Sequence, residues 1–557
     1  RGFSNADLSL LPGQTPDQVA ALLKGAGVVK KWQALPGKDH HLRFGIHGDG
    51  ASLPAVGGEK KVIILGNGAY AVGNGAECDY AAFQAAETVK VMGYTPILVN
   101  SNLSGQLTGH STPCACYCEA LNLEEIADIV RFEKPIGIIT QFAGTAADPL
   151  TERLSSLDCP LIGTPGKMLQ RQQDHLALKD LIRKLGIPQP AAAGAATKAE
   201  AMQAAREMTF PILVSEGDHN GSTCLIRDLQ GLEDHLQSTH PSEPDQPLWM
   251  EQLLEYAIEV QAEALCDGTT TQTLAVMEQI ELAGVHAGDS AAVLPPYSIA
   301  PRHVETIVAY CDKIATALGI KGLLNIRFGI YRDTVYVLGV NNNVSRNLAF
   351  ISKALNLPLV EWTTRLMFGE KLADIDTQPQ VPGPFSVRAP VFPFNAFSAI
   401  DPLLGPNMRA IGQVMAIDDS FGRAYFKALE ATQTPLPTRG TVLITVTDED
   451  KASILEPARI FSELGFQIMS TRGTHDALAK QGIHSVQVRK LGYGRPNLLD
   501  EIKNGRVQMV INTPTGGQGQ IDDSVIRKAA IGCRVANITT PASALAAAKG
   551  IAAALGK

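Results

Sequence analysis

No apolar run in the 557 residues is long enough to span a bilayer, so the sequence contains no candidate membrane helix. Positive charge is in short supply as well. Lys and Arg number 48 against 56 Asp and Glu, a net charge of −8, which argues against a generic nucleic-acid or membrane-surface partner. The start, Arg1-Gly2-Phe3, has no initiator Met and does not read as a signal peptide, so a processed, cut or internal start of a longer product is expected. Cysteine is sparse: nine residues, with one cluster at Cys114-Ala115-Cys116-Tyr117-Cys118. That cluster lacks the C-x-x-C spacing and the nearby histidines of a zinc site. Alternation near a strand instead places its three thiols on one face. Such cysteine usage fits a reducing, cytoplasmic compartment.

What is present is core material. At 45% apolar residues, a protein of this length is expected to form three or four domains. Strands are predicted at 61–65, 95–100, 136–141 and 210–214, and helices at 123–131 and 174–185, the latter ended by Gly186 and Pro188. Residues 5–23 carry apolar positions suited to short helices interrupted by Pro12 and Pro16, and a loop is expected after Lys31. Gly66-Asn67-Gly68 opens a small-residue turn after a strand, where backbone N–H groups can approach a phosphate or simply turn tightly. Residues 325–346 read as a β-hairpin, two β-branched and aromatic runs around a polar turn at Arg332-Asp333. Beyond a proline-containing linker at 432–438, strands at 442–446, 466–469 and 509–512 alternate with helices in a separate small α/β domain.

Several blocks in fixed order resemble the C-terminal half of the carbamoyl phosphate synthetase large chain. They are Gly66 to Tyr80, Met250 to Leu254, Gly284-Val285-His286 with Gly288-Asp289-Ser290, the hairpin ending Asn341 to Arg346, and Leu404-Gly405-Pro406 to Met415. The resemblance implies an α/β architecture with a Rossmann-like pre-ATP-grasp domain at 59–165 and an ATP-grasp domain at 166–400. A connecting segment at 401–436 and a methylglyoxal-synthase-like regulatory domain at 437–557 would follow. Residues 1–58 would be a linker or the remnant of a helical oligomerisation domain. The implied activity is phosphorylation of carbamate by MgATP, giving carbamoyl phosphate for pyrimidine and arginine supply. The implied partners are an N-terminal synthetase half and a glutaminase small subunit, in an oligomer, with no nucleic acid or membrane. By the same resemblance, His286, Asn341 and Arg346 are catalytic. Nucleotide contacts come from Gln252, Leu254 and Glu259, from Gly284, Val285, His286 and Ala287, and from Arg327. Asn341 would hold magnesium. A nucleotide or other small anionic effector would meet Lys451, Thr471, Thr474, Lys490, Asn512 and Thr513.

The sequence departs from the family pattern around the phosphates. Arg327 stands where the family has a magnesium-binding Gln, and Gly339 where it has a Glu. Asn342 and Asn343 replace a Pro and an Arg, Ala71 and Ser215 each replace an Arg, and Asn407 and Gln413 each replace a Glu. Glu216 and Asp218 add negative charge to the loop expected over the triphosphate. Magnesium requires hard, preferably anionic oxygen ligands. Three readings follow: a synthetase half with an impaired ATP site, a catalytically decayed scaffold or effector-sensing subunit, or a site whose losses are offset by Arg327 acting directly on phosphate. Read without the resemblance, Glu259 suits a solvated strand and His286 a hydrogen-bonded loop.

Overall fold

The computed structural model describes residues 5–10, 13, 15–34, 41–47, 51–68, 75–102, 114–216, 223–238, 248–377, 383–397, 400–432, 434–513 and 519–557. The expectations for Ala71, for Asp218 and for the Glu216 side chain lie outside the described residues.

Among the described residues four sheets organise the fold. The first contains β1 (Lys30–Ala34), β2 (Leu42–His47), β3 (Lys61–Leu65), β4 (Thr95–Val99), β5 (Ala115–Tyr117) and β6 (Gly137–Ile139), ordered β1-β2-β5-β4-β3-β6. All its pairs are parallel except β1–β2. β3 is buried throughout, as a parallel strand covered on both faces must be. Part of the segment after Lys31, expected to be loop, is corrected here to two antiparallel strands, β1 and β2, that extend this sheet, while 51–58 carry no helix or strand. Within them Trp32 is deeply buried, packed edge-on against Tyr117 at 4.8 Å. Ahead of it lie two short helices, Asn5–Leu10 and Pro16–Gly25, the second capped by the Thr15 hydroxyl, which accepts from the Gln18 N–H.

The second sheet is antiparallel: β7 (Ala192–Ala195), β8 (Ile212–Glu216), β9 (Thr223–Ile226) and β10 (Leu248–Gln252), ordered β7-β10-β8-β9. The third is antiparallel as well. It contains β11 (Ile258–Asp267), β12 (Thr271–Leu282), β13 (Ala292–Leu294), β14 (Lys321–Tyr331), β15 (Thr334–Asn341), β16 (Phe385–Val391) and β17 (Gly412–Asp418), ordered β15-β14-β11-β12-β13-β16-β17. The expected hairpin is β14–β15. Its turn residues Arg332 and Asp333 both have positive φ, 47° and 66°, matching a two-residue turn whose twist suits the strands. The fourth sheet is parallel: β18 (Thr441–Thr445), β19 (Gln467–Thr471), β20 (Val486–Val488), β21 (Met509–Asn512) and β22 (Ala536–Ile538), ordered β20-β19-β18-β21-β22.

Residues 401–436 do more than connect. β17 pairs with β16 along seven residues, and the helix Phe421–Ala431 packs Phe421, Ala424, Tyr425 and Ala428 into one core. That core also holds Val293 and Val387 of the third sheet, and Val442 and Ile444 of the fourth. Two polar ties cross the same boundary. Glu281, buried at the end of β12, accepts from the hydroxyls of Thr540 and Ser543, at the start of the helix Pro541–Ala554. Arg527, wholly buried, donates to both carboxylate oxygens of Asp401 at 2.8 and 2.7 Å, a charge-assisted fork. Among the described residues no helix is long and apolar enough to cross a membrane.

Asp401→Asn leaves the Arg527 guanidinium buried without its counter-charge. Urea unfolding is expected to show a loss of about 3 kcal/mol. A loss below about 0.5 kcal/mol, the size of a neutral surface change, would show the pair to be unimportant for stability.

Candidate functional site

The site is built on β11. Along this strand Glu259, Gln261 and Glu263 alternate with Val260, Ala262 and Ala264, so the polar residues share one face. That face is not solvated. Glu259 is 4% exposed and Glu263 is fully buried, which corrects the view of Glu259 as a solvated strand residue. β14 and β12 flank β11 and seal it.

Compensation comes from across the sheet. Asn325 Nδ2 donates to Glu263 Oε1 at 2.8 Å, and the Ser345 hydroxyl donates to the same oxygen. Glu263 Oε2 has no partner among the described residues. Burial pushes the Glu263 carboxyl up to about 8, against the pull of those two hydrogen bonds. Burial also raises Glu259, opposed by Arg327, whose Nη1 stands 3.9 Å from Glu259 Oε1. Glu259 Oε1 accepts no hydrogen bond from the described residues.

Arg327 and Gly339 face each other across the hairpin, at a bulge that shifts the register before Phe328. The guanidinium lies over the glycine: a Cβ at 339 would stand 3.2 Å from Arg327 Nη2 and 3.3 Å from its Nε. Asn341 Oδ1 is already engaged, accepting from the Asn343 N–H at 2.9 Å. Asn343 Nδ2 in turn donates to Asp148 at 2.7 Å, and the Asn342 carbonyl accepts from Gln141 at 2.8 Å. The segment after β15 is thus fastened to the helical turns that follow β6.

His286 sits in the turn between β12 and β13. Its N–H donates to the Gly405 carbonyl at 2.7 Å, and its Nδ1 accepts from the Gly288 N–H at 3.0 Å, as expected of a hydrogen-bonded loop residue. Gly288 admits this fold because a Cβ there would lie within 3.0 Å of Arg346, Met408 and His286. Burial, then Arg327, Arg346 and Arg388, push the imidazole down to about 4, so it is neutral at physiological pH. Arg388 is itself buried. It donates to the carbonyls of Ala287 at 2.9 Å and Ser290 at 3.1 Å, and burial followed by Arg346 lowers it to about 9. Arg346 is 8% exposed, with Glu77 3.8 Å from its Nε. Gln413 Nε2 donates to Glu77 at 2.7 Å and to the Arg346 carbonyl at 2.9 Å, bonds that a carboxylate at 413 could not donate. Asn407 exchanges hydrogen bonds with the Thr223 backbone at 3.0 and 2.8 Å.

The expected nucleotide residues cluster in part. Gln252 and Leu254 lie at and just beyond the end of β10, and Gly284, with φ of 110°, approaches Leu253 closely. Glu263, Asn325, Arg388 and Glu77 were not anticipated. The sequence signal for Glu263 was the period-two polar run in an otherwise apolar strand; for Arg388 it was a lone charge between Val387 and Ala389.

A second polar cluster lies at the C-terminal ends of β18, β19 and β21. Thr471 and Thr445 hydroxyls lie 3.2 Å apart, Thr474 Oγ1 accepts from the Val446 N–H at 3.3 Å, and Thr513 Oγ1 accepts from the Thr447 N–H at 3.0 Å. Asn512 donates to Asp523 at 3.0 Å and accepts from Arg527 at 2.9 Å. Lys451 lies over Gly473, whose added Cβ would be 3.1 Å from its Nζ, and it pairs with Asp448. Lys490 is exposed and acts on Asp448 only through its charge. The six expected effector residues are therefore brought together except for Lys490, which makes no direct bond within the described residues.

Three family models match in order: the carbamoyl phosphate synthase preATP-grasp domain over 58–171, the carbamoyl-phosphate synthase L chain ATP binding domain over 174–375, and the MGS-like domain over 453–539. The C-terminal section of the Aquifex aeolicus carbamoyl phosphate synthase large chain is 37% identical over 500 residues, covering 86% of this sequence and 93% of that protein. The protein belongs to the carbamoyl phosphate synthase large-chain family. The full-size large chain of Gemmatimonas aurantiaca is 38% identical over 99% of this sequence, and the match takes in 51% of its length. The present sequence thus spans about half the length of the full-size curated relatives it matches. Among solved structures, the biotin carboxylase domain of Hydrogenobacter thermophilus 2-oxoglutarate carboxylase aligns with a TM-score of 0.52 at 15% identity, over 67% of this protein and 89% of that one. The Campylobacter jejuni biotin carboxylase aligns with a TM-score of 0.51 at 14% identity, over 67% and 91%. These likenesses establish the shared ATP-grasp fold.

Glu263 supplies a pH test. Its folded pKa lies above the ordinary carboxylate range, so its stabilising contribution is complete in acid. It is lost as pH rises to about 8, at about 1.4 kcal/mol per pH unit. Chemical denaturation should show Glu263→Gln gaining on the wild type between about pH 5 and about pH 8, then running parallel to it. A constant difference across that window would mean that Glu263 does not titrate there.

Proposed function

We propose that this protein is the carbamate-phosphorylating half of a carbamoyl phosphate synthase, with ATP turnover slowed by the Arg327–Gly339 exchange. The observation that carries the reaction class is the match along 93% of a C-terminal section. It works with an N-terminal synthetase half and a glutaminase subunit, in the reducing cytoplasm, and its C-terminal domain takes a small anionic effector.

The nucleotide fits the residues present. Glu259 Oε1, buried and free of hydrogen bonds from the described residues, suits the ribose hydroxyls. Leu254 and the residues after β10 supply an apolar wall for the base, and the turn from Gly284 to Ala287 closes on them. Bound here, ATP supplies the transferred phosphoryl group. The protein's own residues do the rest. Neutral His286 keeps its Nδ1 on the Gly288 N–H, which leaves Nε2–H as a donor that carries no charge. Arg346 brings a fixed cation to the reacting anions. Arg388 is a positioning residue that holds the carbonyls of Ala287 and Ser290 and so the turn that carries His286.

Magnesium does not fit. The Asn341 oxygen is engaged by Asn343, Glu263 is held in the protonated range at neutral pH, Gly339 offers nothing, and Arg327 brings its own positive charge. Among the described residues no three of His, Cys, Asp and Glu converge on a metal position. A second reading, a scaffold or effector-sensing subunit without turnover, is favoured by this same loss. The Asp401–Arg527 and Glu281–Thr540 ties would then be its working parts.

The test is ATP formation from ADP and carbamoyl phosphate by the purified protein, a partial reaction that needs no other subunit. A slow rate, abolished by His286→Ala, is expected. Losing a metal clamp removes several kcal/mol, so Arg327→Gln with Gly339→Glu should raise the magnesium-dependent rate by ~100-fold or more. No rate from folded protein, before and after that double change, would overturn the enzymatic reading in favour of the scaffold.

A further inference from the structure

The geometry points to a nucleotide site that works without a divalent cation: the Arg327 guanidinium occupies the ground a metal ion would need and itself receives the phosphates of a nucleoside diphosphate or triphosphate. The inference rests on the nucleotide reading above and goes beyond it in naming the metal-free polyphosphate as the ligand.

The two exchanges at 327 and 339 act as one. Any side chain at 339 would meet Arg327 at 3.2 to 3.3 Å, so the room left by Gly339 is the room the guanidinium fills. Arg327 is anchored yet uncommitted. Glu259 stands at 3.9 Å, beyond hydrogen-bond distance, the side chain keeps 47% of its surface exposed, and among the described residues it donates no hydrogen bond. Five N–H donors in a planar fork are thus available at the mouth of the site, a geometry that matches phosphate oxygens.

The ground behind it is cationic too. Arg346 and Arg388 join Arg327 in acting on His286. Arg346, nine-tenths buried, has Nε and Nη2 without hydrogen-bond partners among the described residues, and Arg388 has Nε likewise. Buried guanidinium N–H groups left unsatisfied call for an acceptor, and an oxyanion supplies both acceptor and charge. Against these three stand Glu259, Glu77 and Asp289, and one Asp289 oxygen accepts from the N–H groups of both Arg409 and Ala410. A doubly charged ion at this place would face Arg327 as a like charge, whereas a free polyphosphate faces it as an opposite one. Chelation by magnesium removes charge from the phosphates and so weakens the very attraction the site offers.

Titration calorimetry with ADP as probe tests this, in a Lys451→Ala background so that the C-terminal cluster does not add its own binding. Affinity in EDTA is expected to equal or exceed that in excess magnesium, and Arg327→Gln is expected to lower it at least tenfold. Gly339→Ala, which crowds the guanidinium, should weaken binding in EDTA without altering the melting curve. Binding that requires magnesium, or that ignores Arg327→Gln, would overturn the proposal and leave the nucleotide reading intact. No ADP binding in either buffer by a protein that melts cooperatively would bring down the nucleotide reading and the proposal together.

Discussion

Burial of three polar side chains on one face of one strand sets the terms for everything near the site. Glu259, Gln261 and Glu263 each lose their water, and each needs a neighbour to replace it. Asn325 and Ser345 serve Glu263, Asn347 serves Gln261, and Arg327 stands near Glu259. Those neighbours come from β14 and from the segment after β15. Pairing of β11 with β14 in one register is therefore a condition for the site to exist, since a one-residue slip would turn the polar row into the opposite core.

Seen from that strand, the cationic character of the site has a simple origin. The acids are buried and lean towards protonation, while the guanidinium groups, whose intrinsic pKa is far higher, stay charged. Positive charge at the candidate site is thus supplied by arginine. The amides at 407 and 413 belong to the same pattern. Gln413 donates to Glu77 and thereby fixes the one carboxylate nearest Arg346, and Asn407 holds the backbone of Thr223 at the start of β9.

Sequence patterns carried the architecture further than the site. The β14–β15 hairpin was legible because two β-branched runs surround a turn that tolerates positive φ. The parallel strands β3, β4 and β21 were legible as short apolar runs. β1 was not, because Lys30-Lys31-Trp32-Gln33-Ala34 buries a single large side chain and shows no apolar alternation. β20 and β22, three residues each, are too short to display a period. Around the candidate site, family resemblance pointed to Glu259, His286 and Arg346, while the burial of Glu263 and Arg388 beside them escaped. Alternating charges in a strand ordinarily mark the solvent face, and only the sheet's neighbours reveal that this face is enclosed.

The core that joins the helix Phe421–Ala431 to both the third and fourth sheets has a consequence for how the C-terminal domain can be exchanged in evolution or by design. A domain that meets its neighbour through a thin polar surface can be swapped at its linker. This one cannot. A transplant cut at residues 432–438 would leave Phe421, Tyr425, Val293 and Val387 facing water on one side, and a wholly buried Arg527 searching for Asp401 on the other. The transferable unit is larger than the α/β domain itself: it begins at Asp401 and carries β17 and the helix with it. A C-terminal domain packed in this way would then be inherited together with the sheet edge it rests on.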